Sequence, residues 1–72
     1  MKASKLQAAV EAILFASGEP VELEKIAQVL EIDVDTCEQI ILNLSAKLDE
    51  NNSGICVLKL GNMYQLSSRT EY

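Results

Sequence analysis

The 72-residue sequence has no histidine and no tryptophan, and only two cysteines, one proline, three glycines, one phenylalanine and two tyrosines. Without histidine it lacks the one side chain whose ordinary pKa lies near neutrality, so the commonest general base is missing. It has no glycine-rich phosphate loop and no nucleophile elbow, and so short a chain could scarcely enclose a cleft. The reading is a protein that is not an enzyme and carries no catalytic, cofactor or metal site. Cys37 and Cys56 do not form a CxxC pair and have no histidine to join them. Cys37 also falls on an apolar helix stripe, so both read as core or half-buried thiols and not as metal ligands or a redox couple.

A long hydrophobic run is also lacking. No stretch approaches the roughly 18 apolar residues of a membrane span. The apolar segment from Leu6 to Ala16 is interrupted by Gln7 and Glu11 and does not read as an export signal, so a reducing compartment is expected. Positive charge is scarce as well: six lysines and arginines stand against eleven acidic residues, a net charge of −5. The mean field therefore repels polyanions such as nucleic acid or anionic lipid.

What the sequence does have is apolar periodicity: 49% of its residues are hydrophobic and 24% charged. That is ordinary for one small folded domain spanning residues 1–72, which buries only about 60% of its unfolded surface and is marginal alone. Leu6, Ala9, Val10, Ile13 and Leu14 recur at three and four, which predicts a helix from Ser4 to Ser17 ended by Gly18 and Pro20. Val21 forms a short extended bridge. Leu23, Ile26, Ala27 and Leu30 repeat the helical spacing in a second, shorter helix. Asp33 is an N-cap with Asp35 favourable in the first turn, and Cys37, Ile40, Ile41, Leu44 and Leu48 mark the buried stripe of a third helix reaching about Glu50. Asn51, Asn52, Ser53 and Gly54 break it.

The remainder reads as a hairpin, with strands Ile55 to Leu60 and Met63 to Ser67 joined by a two-residue Gly61-Asn62 turn. The order is helix, short strand, helix, helix and a two-stranded wing. The expected fold class is mainly α with a small β-hairpin, a winged helix-turn-helix.

A winged helix that binds DNA needs cations or amides on its third helix and further cations on the wing. Here Glu31, Asp33, Asp35, Glu38, Asp49 and Glu50 face only Lys47, and the hairpin offers Lys59 before Arg69. Phosphate neutralisation supplies essentially all non-specific affinity, so no direct nucleic-acid contact is expected. With a two-residue turn, Leu60 stands opposite Met63, Lys59 opposite Tyr64, Leu58 opposite Gln65 and Val57 opposite Leu66. One face then carries Ile55, Val57, Tyr64 and Leu66, which suits packing on the helices. The other carries Cys56, Leu58, Leu60 and Met63. A wing has only one side to lay on its own core, so this second stripe, with the off-stripe Phe15, is the candidate protein interface. The competing reading is that the first helix or further chain covers it.

Particular residues also carry a resemblance. The segment from Val10 to Val21, reading VEAILFASGEPV, is similar to the "EAILFASGEPV" run of the segregation and condensation protein B family. The closing residues from Gly61 to Leu66, with Ser68 to Tyr72, resemble that family's "G-x-x-Y-Q-L-x-T-R-P-E-Y" segment, and Gly54-Ile55 matches the entry to the wing. The resemblance covers nearly the whole chain. Two positions depart from it: Glu31 replaces a usual glycine between the second and third helices, and Thr70 replaces a proline. The resemblance implies the N-terminal one of two tandem winged-helix domains, a homodimer formed largely through that domain, and a kleisin partner, ScpA, that joins it to the SMC ATPase. It implies a role in chromosome condensation and segregation, in the cytoplasm at the nucleoid. Two alternatives are a DNA-binding winged-helix transcriptional regulator and a dimer seam lying wholly in the first helix, with the wing free for the kleisin.

Overall fold

The computed structural model describes residues 2–68; Arg69, Thr70 and the rest of the closing segment discussed above lie outside them. Helix α1 spans Ala3–Ser17, strand β1 Val21–Glu22, helix α2 Leu23–Leu30, helix α3 Val34–Glu50, and strands β2 and β3 are Ile55–Leu60 and Met63–Ser68. Each predicted element is present with its ends within one residue. The short extended bridge is more than a spacer. Val21 and Glu22 pair antiparallel with Tyr64 and Met63, so the wing is a three-stranded sheet in the order β1-β3-β2.

All three helices end on a residue in the left-handed region, and the sequence supplies that residue at different cost. After α1 it is Gly18, φ +67°, which has no Cβ to clash. After α3 it is Asn52, φ +55°, a residue that tolerates this conformation. After α2 it is Glu31, φ +56° and ψ +44°. There the Glu31 N–H donates to the Gln28 carbonyl at 3.2 Å and the Ile32 N–H to the Ala27 carbonyl at 3.0 Å, the paired bonds of a Schellman ending. The turn therefore keeps the geometry a glycine would give, at a steric cost of about 1 kcal/mol.

Two residues later Asp33 starts α3. Its carboxylate accepts from the Thr36 amide at 2.9 Å and from the Thr36 hydroxyl at 2.6 Å. These donors hold its pKa below the ordinary carboxylate range. Ile32 before the cap and Cys37 in the first turn both pack on the core, the arrangement of a hydrophobic staple. The helix-turn-helix is thus set by three residues, Glu31, Ile32 and Asp33, each with a distinct task.

The core lies where the three helices meet the inner side of the sheet. Leu6, Val10 and Leu14 from α1, Leu23, Ile26 and Ala27 from α2, Cys37, Ile40, Ile41 and Leu44 from α3, and Tyr64 from β3 are buried. Val21, Val57 and Leu66 close it from the sheet. Among the described residues no buried polar side-chain atom lacks a hydrogen-bond partner.

Candidate protein-interaction surface

The wing is built by its turn. Gly61 has φ +66° while Asn62 is not among the positive-φ residues, which is the two-residue hairpin turn that needs glycine in its first central position. This turn sets the register Leu60↔Met63, Lys59↔Tyr64, Leu58↔Gln65 and Val57↔Leu66, as the sequence predicts, and continues it to Cys56↔Ser67 and Ile55↔Ser68. Asn62 also anchors the turn to the helices. Its carbonyl accepts from the Leu23 N–H at 2.9 Å, satisfying a donor at the start of α2 that no side chain caps, and its Nδ2 donates to Glu24 Oε1 at 3.3 Å. The wing is therefore held at its tip by α2 and along its length by the core.

With the register set, residue parity divides the hairpin. Val57, Tyr64 and Leu66 point inward and join the core. The hydroxyl of Tyr64 reaches Glu38 Oε2 of α3 only at 3.5 Å, so the ring is held by its packing and not by this bond. Cys56, Leu58, Leu60 and Met63 lie on the opposite face and take no part in the core. Leu58 and Leu60 are 39% and 49% exposed, and Cys56 and Met63 are half-buried. Among the described residues, no helix covers this face. The four wing residues named from the sequence thus share one surface.

Phe15 does not join them. It is 76% exposed at the end of α1 and lines a separate open groove of about 190 Å³ with Leu14, Gly18, Ile55, Leu66, Ser67 and Ser68. One inner-face assignment is corrected here. Ile55, placed by parity among the residues that pack on the helices, remains 39% exposed because it is the first residue of its strand and opposite Ser68 near the mouth of that groove. Val29 on α2 and Leu42 on α3, at 56% and 52% exposed, were not singled out in the sequence. Each is one apolar residue on an otherwise polar helix side, which gives no periodic signal.

The groove-reading helix of a DNA-binding winged helix corresponds to α3. Its exposed side presents Asp35, Gln39, Leu42 and Asn43, and Gln39 Nε2 donates to Asn43 Oδ1 at 3.2 Å, so the amides suited to base edges bond to each other. Burial raises the pKa of Cys37, with the Asp33 carboxylate adding to the effect, which keeps its thiol protonated and inert. Cys56 is a half-buried free thiol on the outer wing face.

An acidic third helix and a wing with an exposed apolar outer face mark this winged-helix domain. A model of the family described as segregation and condensation complex subunit ScpB matches residues 8–72. The chain belongs to this family. It is similar to segregation and condensation protein B of Lachnoclostridium phytofermentans, with 41% identity over 71 residues, 99% of this chain and 38% of that protein. It is also 40% identical to segregation and condensation protein B of Carboxydothermus hydrogenoformans over 67 residues, 93% of this chain and 36% of that one. The chain thus spans under two fifths of the length of these curated relatives.

Two solved structures share its fold. One, of a dimer of the ScpB N-terminal domain complexed with ScpA peptide, superposes with a TM-score of 0.89 at 32% identity, covering 94% of this chain and 85% of that one. The other, ScpB from Mycobacterium tuberculosis, gives a TM-score of 0.92 at 21% identity over 99% of this chain and 44% of that one. At that identity it supports the winged-helix fold alone.

Proposed function

We propose that this chain is the N-terminal winged-helix domain of a condensation-complex subunit, and that it serves as a dimerisation and scaffold module docking on a kleisin of the ScpA type and, through it, on an SMC ATPase. It works without catalysis or cofactor, in chromosome condensation and segregation, in the cytoplasm at the nucleoid. The observation that carries this reading is the outer face of the wing: Leu58 and Leu60 exposed beside Cys56 and Met63, on a fold whose third helix is acidic. Apolar surface of this kind is hidden in a stable complex and is out of place on a lone soluble domain. A solved dimer with a bound ScpA peptide, 32% identical and covering 94% of this chain, supports the same assembly here.

No observation favours the DNA-binding regulator. The apolar surface offers two sites, the outer wing face and the Phe15 groove, enough for a second copy and a kleisin segment to bind at once. The test is sedimentation of the chain at micromolar concentration with and without an ScpA peptide. A dimer that gains mass on addition of peptide is the expected result. A monomer that ignores the peptide but shifts a short DNA duplex with a steep negative salt dependence would sink the proposal.

A further inference from the structure

We infer that a second copy of this chain pairs along the free edge of β2, antiparallel and centred on Leu58, so that two wings join into one continuous six-stranded sheet. The inference rests on the dimer proposed above and adds where and in what register it forms.

The sheet order β1-β3-β2 leaves β2 at an edge. Edge strands in proteins that avoid pairing are short, bulged, proline-bearing or heavily charged. The run from Ile55 to Leu60 has six residues, no proline, one charge at Lys59, and a register with β3 unbroken from end to end. It is apolar on both sides, and Ile55, Leu58 and Leu60 are exposed. Nothing in it discourages a partner strand.

The backbone sets the register. Leu23 N–H donates to the Asn62 carbonyl, and Val21 stands two residues along opposite Tyr64. Bonded and non-bonded pairs alternate in an antiparallel ladder, so Tyr64 directs its backbone groups to β1, and Met63, Gln65 and Ser67 direct theirs to β2. Leu60, Leu58 and Cys56 answer those bonds, and Lys59, Val57 and Ile55 point their N–H and C=O groups away from the sheet. The Ile55 N–H is already donated to Ser53 Oγ at 3.1 Å. Val57 and Lys59 remain as the residues with both backbone groups open.

A two-fold axis through an antiparallel pair must set residues of one face opposite each other, so it passes through a single residue position. Centred on Val57, the pairing would ask Ile55 to give up its bond to Ser53. Centred on Leu58, Val57 bonds Lys59 of the second copy and Lys59 bonds Val57 of the second copy, four bonds that use every open group of those residues. The same register sets Leu58 against its equivalent and Cys56 against Leu60 of the second copy, all on the outer apolar face. Lys59 faces a valine and not another lysine. Backbone complementarity and side-chain complementarity select one centre, which argues for a second copy over an unrelated strand.

The test compares backbone and side chain. Val57→Pro removes an outward N–H and leaves the ladder to β3 intact, a position where an edge strand accepts proline, although the inward-packed valine side chain goes with it. By circular dichroism the variant keeps its helices, and in sedimentation it associates about tenfold or more weakly than the parent chain. Hydrogen exchange on the unaltered chain is the second measurement and needs no substitution. The Val57 and Lys59 amides gain about tenfold or more protection as concentration carries the chain from monomer to dimer.

A dimer in which both amides exchange as fast as in the monomer overturns the edge pairing while leaving the dimer itself standing. A chain that stays monomeric at all concentrations removes both. Protection that arises only on adding an ScpA peptide to a monomeric chain overturns it in favour of strand addition by an extended peptide.

Discussion

The inner and outer faces of the wing are alike in composition and opposite in fate. Val57, Tyr64 and Leu66 on one side, and Cys56, Leu58, Leu60 and Met63 on the other, come from the same two six-residue strands. The inner set is packed on three helices, Tyr64 being 2% exposed, and the outer set faces away from every helix described. The difference is one of parity. A shift of one residue in the hairpin would exchange the two sets, so the Gly61-Asn62 turn, by setting the register, decides which apolar stripe stabilises the monomer and which is left outside the core.

The largest effect should come from the inner face. Tyr64→Ala opens a cavity at the junction of wing and helices and should lower unfolding free energy by about 3–5 kcal/mol, by analogy with other large aromatic truncations. That is a large part of the total for so small a domain. Urea denaturation at a concentration where the chain is monomeric measures it. A loss under about 1 kcal/mol would show that the inner face is not the better buried one.

Leu58→Glu on the outer face should do the reverse. Monomer stability changes by about 0.5 kcal/mol or less, and self-association falls at least tenfold, about 1.4 kcal/mol or more. Sedimentation and denaturation of the same sample separate the two effects. Equal loss of stability and association would erase the distinction between the faces.

Glu31→Gly touches neither face and serves as the control. It relieves a side chain held at φ +56° and should stabilise the fold by about 1 kcal/mol with no change in association. Asp33 gives the smallest effect, expressed in pH. Its pKa is lowered in the folded state by Thr36, so its contribution is fully present above the unfolded value near 4 and is lost as pH falls through the folded value. Thermal melts from about pH 5 to pH 2 should show Asp33→Asn losing less of its melting temperature than the parent chain does.

Much of this arrangement was legible beforehand because its signals are local. Gly18 and Pro20 end α1, Asp33 caps α3, and a two-residue turn sets a hairpin register, each through the geometry of a few neighbouring residues. What was not legible depended on contacts between distant segments. Val21 and Glu22 carry no strand pattern of their own and become a strand only because β3 offers them an edge. Asn62 reads as a turn residue, and its bonds to Leu23 and Glu24 arise from the folding of the wing onto α2. Phe15 shares the apolar character of the wing residues, and only the fold places it in a separate groove with Ile55.

The sequence by itself determined the order of elements, the helix ends and the two faces of the wing, because periodicity and turn chemistry act over a few residues. It also determined that the outer face is apolar on a net acidic chain. Only the tertiary structure decided that Val21 and Glu22 join the sheet and which strand is left with an open edge. Helices that pack on one side of a sheet cannot also cover the other, and β1, by pairing with β3, closes one edge of the sheet and leaves β2 at the other.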